Sequence, residues 1–313
     1  MKLAGAVRES GLRDSSVADL YTVVPIDKTS VALNRGAHHL RNAMTVDVED
    51  YFQVSAFDPY INHTDWDHFP SRVQANTERI LDLFAENDVH GTFFVLGWIA
   101  RKHPGIVRMI VDSGHELASH GFEHIRIYQQ QPKAFRDDVI RTKKLLEDLG
   151  GCEVQGYRAA SFSIRRDTLW AVEILQETGH RYSSSVYPVH HDLYGMPDAS
   201  RFPFRHESGG LLEIPITTVK ALGQNLPIGG GGYFRIYPYG FFRRALRRVN
   251  IDEGQPGVFY FHPWEIDPGQ PRQRNLGFKA RFRHYVNLDK TERRLKNLLA
   301  DFRWGRIDEV FLS

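Results

Sequence analysis

Short apolar runs alternate with amphipathic segments along most of the chain. Residues 43–48, 91–97 and 258–261 read AMTVDV, GTFFVLG and VFYF, which is typical of buried strands. Residues 72–86 and 133–149 instead repeat apolar side chains at helical spacing, and a Gly-Gly pair ends the second of these segments. Strands and helices that alternate in this way predict an α/β fold on a parallel sheet, with a barrel as the expected closure.

The same pattern divides the chain into three parts. Residues 1–41 lack clear periodicity and are predicted to form a loosely ordered N-terminal extension. Residues 42–267 carry the alternating strands and helices and are predicted to be the main domain. Residues 268–288 are rich in Arg, Pro and Gln and predict a long ordered loop, and residues 291–302 predict an amphipathic helix. These last two segments lie in a predicted C-terminal extension over residues 268–313.

The charge balance argues against a nucleic-acid partner. The chain has 313 residues and contains 40 Lys and Arg against 38 Asp and Glu, a formal net charge of only +2. The pairs Arg243-Arg244 and Arg247-Arg248 predict a solvated helix face, with a patch for an anionic sugar or a lipid phosphate as the alternative.

Two expected absences bear on the location of the protein. No run of about 18 apolar residues is present, so no transmembrane span is predicted. The first residues have no sustained apolar region, so no secretory signal is expected. The single Cys152 excludes an intramolecular disulfide and fits a reducing compartment. We therefore expect a cytoplasmic protein, with the inner face of the membrane as a more specific expectation.

Three carboxylates lie at the end of the first predicted strand. Asp47 and Glu49 are two positions apart and are expected on the same side of the strand, and Asp50 comes next. Acidic side chains at the end of a buried strand are costly unless they are paired or bound to a cation. A functional site is the preferred interpretation, and a cap at the start of a loop is the alternative.

His120 ends the predicted strand HELASH, and His124 follows it at the i, i+4 spacing. On a helical turn this spacing puts both imidazoles on one side, within reach of one metal ion. The spacing alone is weak evidence, since the chain contains 15 His. The carboxylates after the first strand strengthen the interpretation of the two residues as metal ligands.

Two further polar side chains end predicted strands. Arg158 in GYRAA is suited to hold a carboxylate in a bidentate pair, with a surface salt bridge as the alternative. His262 follows VFYF and can be either a satisfied core histidine or a general acid.

Together these positions resemble the polysaccharide deacetylase family, the NodB-homology enzymes of carbohydrate esterase family 4. The resemblance runs from about residue 42 to the end of the chain. It is closest to the subgroup linked to exosortase and exopolysaccharide loci, in which a C-terminal extension follows the deacetylase domain. The blocks that carry it are TVDVEDYFQVSAF, SHGFEH, GYRAASFSI, GGGYFRIYPY, YFHPWEIDPGQPR and FRHYVNLDKTERRLKNLLADF.

The resemblance implies a deformed (β/α) barrel of about seven units with the C-terminal extension packed on it. It also implies one divalent metal ion, usually zinc, held by an acid and two histidines. His120 and His124 match the two histidine ligands. Either Asp50 or Glu49 supplies the acid, since the residue type favours Asp50 whereas strand alternation favours Glu49.

The resemblance assigns roles to the remaining candidates. Asp47 matches the catalytic base, Arg158 matches the arginine that orients the base, and His262 matches the general acid. A backbone N–H near Ser161 is the implied donor to the oxyanion.

Aromatic side chains are the expected sugar-binding groups, with a core position as the alternative for each. They are Tyr233, Phe234 and Trp264. The glycine run at residues 229–232, just before the first two, predicts a tight loop near the substrate.

The implied activity is removal of N-acetyl groups from an amino-sugar-containing exopolysaccharide or its lipid-linked precursor. The expected partners are that N-acetylated polysaccharide or lipid-linked oligosaccharide and, by peripheral contact, membrane-bound exopolysaccharide machinery. The alternatives are an allantoinase-like hydrolase of a non-sugar amide and a catalytically silent carbohydrate-binding protein. Asp47 and His262 argue against the silent binder, because a pure binder needs neither proton-transfer group.

Overall fold

The computed structural model describes residues 21–22, 40–191, 194–206, 210–273 and 276–313. The loosely ordered extension predicted over residues 1–41 lies almost entirely outside them. The strands are β1 (Tyr21–Thr22), β2 (Arg41–Val48), β3 (Thr92–Val95), β4 (Glu116–Ser119), β5 (Gly156–Tyr157), β6 (Tyr182–Ser183), β7 (Phe204–His206), β8 (Leu212–Glu213), β9 (Thr218–Ala221), β10 (Gln224–Pro227), β11 (Val258–Phe261) and β12 (Arg303–Gly305).

Helices connect most of these strands. They are α1 (Val73–Ala85), α2 (Gly97–Lys102), α3 (Pro104–Asp112), α4 (Pro132–Gly150), α5 (Trp170–Glu177), α6 (Gly231–Ile236), α7 (Tyr239–Ile251), α8 (Phe278–Tyr285), α9 (Leu288–Asp301) and α10 (Ile307–Phe311). In the described part of the chain, none of them is both long enough and apolar enough to cross a bilayer.

Ten strands of the described residues form one curled sheet in the order β1-β7-β8-β6-β5-β4-β3-β2-β11, with β12 also paired to β2. The run from β8 to β11 is parallel, and β7 and β1 add antiparallel pairs at one end. Strands β9 and β10 form a separate hairpin. This arrangement confirms the predicted α/β fold with a deformed barrel.

Strand β2 shows how the two faces of the sheet are used. Met44, Val46 and Val48 belong to the large core cluster that also contains the apolar side chains of α1. The alternate residue Ala43 belongs to the second face, in a cluster with Phe94 of β3 and with residues of β6 and β11. Because side chains alternate along a strand, Thr45 and Asp47 also point to this second face, the interior of the curled sheet.

The C-terminal segment packs against the main sheet. Strand β12 pairs with β2 in the register Arg303 with Arg41, and α9 contacts the 3₁₀ turn Pro263–Ile266. The loop predicted over residues 268–288 is wrong for residues 278–285, which form α8. Phe278 and Phe282 of this helix are exposed, so it has no buried apolar stripe that the sequence pattern could reveal.

A buried histidine gives the fold a pH-dependent stability. His180 is 4% exposed, its Nε2 has no hydrogen-bond partner in the described structure, and burial lowers its pKa to about 4. Above pH 6.5 the imidazole is neutral in both the folded and the unfolded chain. Between pH 6.5 and 4 the unfolded chain takes up a proton that the folded chain does not, so stability is lost as the pH falls.

His180→Phe is therefore expected to make the free energy of unfolding less dependent on pH. The drop between pH 7 and pH 5 should be smaller than in the parent by about 2 kcal/mol, since the variant has no imidazole to protonate in the unfolded state. Urea unfolding of both proteins at the two pH values measures this difference. An identical drop in parent and variant would contradict the prediction.

Candidate metal centre and hydrolytic site

A pocket of about 210 Å³ opens where β2, β4 and β11 end. Its walls include side chains from the segments that follow these strands, because the carboxyl ends of parallel strands meet at one edge of the sheet. The carboxylates and imidazoles that line it are Asp47, Glu49, His120, His124, His191, His262, Glu265 and His284.

Glu49, His120 and His124 form a group that could hold a metal ion, and we call these three residues the metal centre. One ligand atom from each lies within 4.8 Å of the others, and all three side chains are buried. Glu49 Oε2 is 3.2 Å from His124 Nε2, and it has no hydrogen-bond partner among the described residues. Neighbouring ligands of a tetrahedral zinc ion, with bonds of about 2.0–2.1 Å, are about 3.3 Å apart.

The protonation states of the metal centre suit a cation. Burial lowers the pKa of both His120 and His124, so the imidazoles are neutral and have a lone pair to share. His120 Nδ1 lies 2.8 Å from the carbonyl oxygen of Arg158, and donation to this oxygen leaves Nε2 unprotonated for an ion. Burial raises the pKa of Glu49 to about 7, a cost that a cation bound to the carboxylate would remove.

The two histidines meet through a bend rather than through the predicted helical turn. Residues 120–126 contain no helix. Gly121 has a φ of +73° and His124 a φ of +56°, both in the left-handed region, which turns the chain sharply after β4. A non-glycine residue in this region is strained, and such strain concentrates at functional sites.

Asp50 is not part of the metal centre. This corrects the prediction, made from the residue type, that Asp50 is a metal ligand. Its carboxylate accepts hydrogen bonds from the backbone N–H groups of Arg72 at 2.7 Å and Val73 at 3.1 Å, and from the hydroxyl of Ser71 at 2.8 Å. The Asp50 carboxylate therefore caps α1, since it accepts hydrogen bonds from the backbone N–H groups that have no partner within the helix. Strand alternation, the competing criterion, agrees with the observed position of Glu49 beside the histidines.

Asp47 is held by Arg158 in a fully buried pair. Arg158 is 0% and Asp47 2% exposed, and Nη1 of the arginine donates to Oδ1 of the aspartate at 2.6 Å. The same Nη1 also donates to the hydroxyl of Thr45, and Nε and Nη2 donate to the carbonyl and hydroxyl oxygens of Ser184. The guanidinium carbon lies 4.0 Å from the centre of the Phe94 ring. Arg158 is thus fixed from several sides, and it in turn fixes Asp47 at the pocket.

His262 carries a proton that two carboxylates hold in place. Its Nδ1 donates to Glu265 Oε1 at 2.7 Å, and its Nε2 lies 3.2 Å from Glu49 Oε1. Burial alone would lower the pKa of His262, but Glu49 and Glu265 raise it to about 9. The imidazole is therefore protonated near neutral pH and presents an N–H to the pocket.

Arg235 links this pair to the C-terminal segment. Its Nε donates to Glu265 Oε2 at 2.6 Å, and its Nη atoms donate to the carbonyl oxygens of Arg283, His284 and Val286 at 2.8–3.0 Å. Burial would raise the pKa of Glu265, but Arg235 and His262 hold it below its usual value. Sequence reasoning missed both Arg235 and Glu265, because the partners of Arg235 lie 30 to 51 positions later in the chain.

The predicted substrate-binding residues are divided between the pocket and the core. Ser161, with a φ of +53°, and Trp264 line the pocket. The Trp264 ring stacks between those of His262 and His284, with centroid distances of 5.2 and 4.2 Å. Trp264 is only 5% exposed, so it offers the pocket a ring edge rather than a broad face.

The prediction that Phe234 binds sugar is wrong. Phe234 is 1% exposed and packs against Phe242 and Phe259 in the core, because the glycine run begins helix α6 instead of remaining a loop. Tyr233 is half-buried next to Gly232, which does line the pocket, but Tyr233 itself is not among the lining residues.

Two protein families match consecutive segments of the chain, and the boundary between the two segments lies directly after β6. Residues 62–183 match the polysaccharide deacetylase family, and residues 184–312 match a domain of unknown function (DUF3473). The boundary separates Arg158 from Ser184, its hydrogen-bond partner, and the second segment supplies His262. The two segments therefore contribute to one sheet and one pocket, together with β2 and Glu49, which precede both of them.

Individual relatives agree with the match to the polysaccharide deacetylase family. A 98-residue segment is 33% identical to a peptidoglycan-N-acetylglucosamine deacetylase of Bacillus cereus and covers 31% of this chain and 36% of that protein. A 114-residue segment is 30% identical to a chitooligosaccharide deacetylase of Rhizobium leguminosarum and covers 36% of this chain and 49% of that protein. The chain thus spans less than half the length of these relatives.

A solved structure shares the fold over most of the chain. It is that of a candidate polysaccharide deacetylase from Mycobacterium smegmatis, with a TM-score of 0.58 and 19% identity, and the superposition covers 88% of this chain and 90% of the other. Together with the family match, the relatives and the curled α/β sheet, this leads to one assignment. Residues 62–183 match the polysaccharide deacetylase family, and the chain is similar to that family in this part.

Proposed function

We propose that the protein is a metal-dependent N-deacetylase that hydrolyses the acetamide groups of an amino-sugar glycan. The observation that carries the proposal is the convergence of three groups on one pocket. These are the metal centre, the Asp47 carboxylate held by Arg158, and the protonated His262 held by Glu265. Hydrolysis of an amide needs an activated water, a base and an acid, and the three groups correspond to these needs.

The donor set of the metal centre fits a catalytic zinc ion. Two imidazoles and one carboxylate are ligands that zinc takes in hydrolases, with the fourth position left for water or substrate. A divalent cation at this position would lower the pKa of a water and polarise the acetamide carbonyl. The identity of the metal as zinc is part of the proposal and rests on this donor chemistry.

The side chains around the metal centre divide the proton transfers between them. Asp47 accepts the proton of the attacking water, and Arg158 keeps the carboxylate oriented. His262 Nε2 donates a proton to the amine as the bond to the acetyl carbon breaks, and Glu265 holds the ring in the orientation for this transfer. Acetate and a free amino sugar are the products.

The substrate class follows from the relatives that the chain resembles. Their names specify peptidoglycan N-acetylglucosamine and chitooligosaccharides, which are polymers of N-acetylated amino sugars. Within this class, the sequence blocks GGGYFRIYPY and YFHPWEIDPGQPR resemble the subgroup linked to exopolysaccharide loci, so an exopolysaccharide or its lipid-linked precursor is the favoured substrate. Membrane-bound exopolysaccharide machinery is the corresponding partner. The cytoplasmic location stays a prediction from the sequence.

Acetate release from glycans tests this proposal. The parent protein, loaded with zinc, is incubated with chitooligosaccharides, N-acetylated poly-glucosamine and peptidoglycan, with allantoin as a non-sugar amide for comparison. We expect acetate from at least one glycan, none in the presence of a chelator, and no hydrolysis of allantoin. Hydrolysis of allantoin alone would favour the allantoinase-like alternative. A zinc-loaded protein that releases nothing would favour the silent binder.

A further inference from the structure

A second surface feature lies apart from the hydrolytic pocket. Helix α7 and strand β9 border a surface groove of about 520 Å³. Lys220 of β9 and Arg244, Arg247 and Arg248 of α7 line this groove and are exposed, and we call these four residues the basic patch. One acidic side chain, Asp252, also lines the groove. Four cations and one anion leave it with a net charge of +3.

The basic patch has no neutralising carboxylate partner in the part of the chain that the structure describes. Neighbouring arginines have partners, since Arg243 pairs with Asp301 at 2.9 Å and Arg201 pairs with Glu253 at 2.8 Å. Within the described ranges, the four residues of the basic patch form no such ion pair. Unpaired cations on one helix face produce a positive potential that attracts an anionic partner.

Exposed apolar side chains accompany the basic patch. Phe241 and Ile251, at the two ends of α7, also line the groove and are 42% and 50% exposed. Leu222 is fully exposed at the tip of the hairpin that β9 forms with β10. Its φ of +50°, followed by +77° at Gly223, is a turn conformation in which Asn or Gly is preferred to Leu.

We propose that the basic patch and these three apolar side chains bind the surface of a bilayer that contains anionic lipids. The cations would lie at the level of the lipid headgroups, and the apolar side chains would enter the boundary between headgroups and acyl chains. A helix with basic side chains and exposed apolar ends has the composition that such binding requires.

The apolar side chains distinguish a bilayer from a water-soluble polyanion. Arginine and lysine alone are sufficient to bind an acidic polysaccharide or a nucleic acid, and such a partner leaves Leu222 in water. A bilayer removes Leu222 from water, which is the gain that explains an isoleucine, a phenylalanine and a leucine beside unpaired cations. The proposal does not depend on the hydrolytic reaction.

Vesicle binding by the full chain tests the proposal. Co-sedimentation is measured with vesicles of phosphatidylcholine alone and with vesicles in which about a third of the lipid is phosphatidylserine. We expect binding only to the anionic vesicles. Each basic side chain near such a surface contributes roughly fivefold to the partition coefficient, so the triple variant Arg244→Gln/Arg247→Gln/Arg248→Gln should bind roughly 100-fold less.

Two single variants distinguish a bilayer from a soluble polyanion and from loss of the fold. Leu222→Ser should lower the partition coefficient roughly tenfold, and Asp252→Asn should raise it roughly fivefold, because it removes an acidic side chain from the groove. The matched controls are Arg108→Gln on α3 and Ile140→Ser on α4, both at exposed positions outside the groove, and they should bind as the parent does.

The outcomes are decisive in either direction. Loss of binding in the triple variant and in Leu222→Ser, with gain in Asp252→Asn, supports a bilayer surface. Failure of the parent to bind anionic vesicles overturns the proposal. Loss in the triple variant with unchanged binding by Leu222→Ser also overturns it, and indicates a site for a soluble polyanion instead.

Discussion

Glu49→Gln is expected to remove the bound metal ion while the protein stays folded. The substitution keeps the size of the side chain but replaces a carboxylate oxygen, which has no hydrogen-bond partner in the described structure, by a neutral amide. Loss of a directly coordinating group must cost more than the roughly 10–100-fold in affinity that loss of an outer partner costs. Metal content per chain, measured after loading with zinc and dialysis, should fall from about one equivalent to a small fraction.

Asp50→Asn is the matched control for this experiment, since it makes the same chemical change one position later. It should keep the metal and instead lower the free energy of unfolding by about 1–2 kcal/mol, because the carboxylate that caps α1 accepts three hydrogen bonds from Ser71, Arg72 and Val73. Urea unfolding measures this loss. The reverse pattern, with metal lost from Asp50→Asn and retained by Glu49→Gln, would show that Asp50 and not Glu49 is the carboxylate ligand of the metal.

Asp47→Asn is expected to lower the rate of acetate release by about 10²–10⁴-fold with the metal retained. Asparagine is similar in size and still accepts a hydrogen bond from Arg158, but it cannot take a proton from water. Initial rates on the best glycan substrate, together with metal content, measure this separation of catalysis from binding.

Thr45→Val provides the control for damage to the buried pair. Thr45 accepts a hydrogen bond from Arg158 at 2.8 Å, so the variant disturbs the guanidinium without touching the carboxylate. Its rate should stay within about tenfold of the parent, because Arg158 keeps its hydrogen bonds to Asp47 and Ser184. If Asp47→Asn retained a rate this high, the role of Asp47 as the base would be excluded.

Much of the site could be predicted because it lies at the ends of strands. The alternation of apolar runs and helices predicted the parallel sheet, and the polar residues that follow β2, β4, β5 and β11 do meet at one edge of it. The choice between Glu49 and Asp50 as the metal ligand needed the three-dimensional structure. The carboxylate of Asp50 accepts hydrogen bonds from backbone N–H groups at the amino end of α1, which begins more than twenty positions later in the chain.

Other features could not be predicted from local sequence. Phe234 was expected at the substrate because four glycines precede it, but these glycines begin a helix whose inward face contains Phe234. Arg235 gave no local indication of burial, since arginine is usually exposed and its partners are carbonyl oxygens of a distant segment. A buried arginine is recognisable only when the acceptors that compensate it are known.

The position of β2 has a consequence for the order in which the protein becomes functional during synthesis. This strand carries Asp47 and Glu49, yet its neighbours β11 and β12 leave the ribosome more than 200 residues after it. His262 and the carbonyl groups that hold Arg235 emerge equally late. A growing chain can thus contain all three residues of the metal centre while it still lacks the proposed acid and its support, so the proposed hydrolytic activity can arise only when translation has nearly reached the last strand.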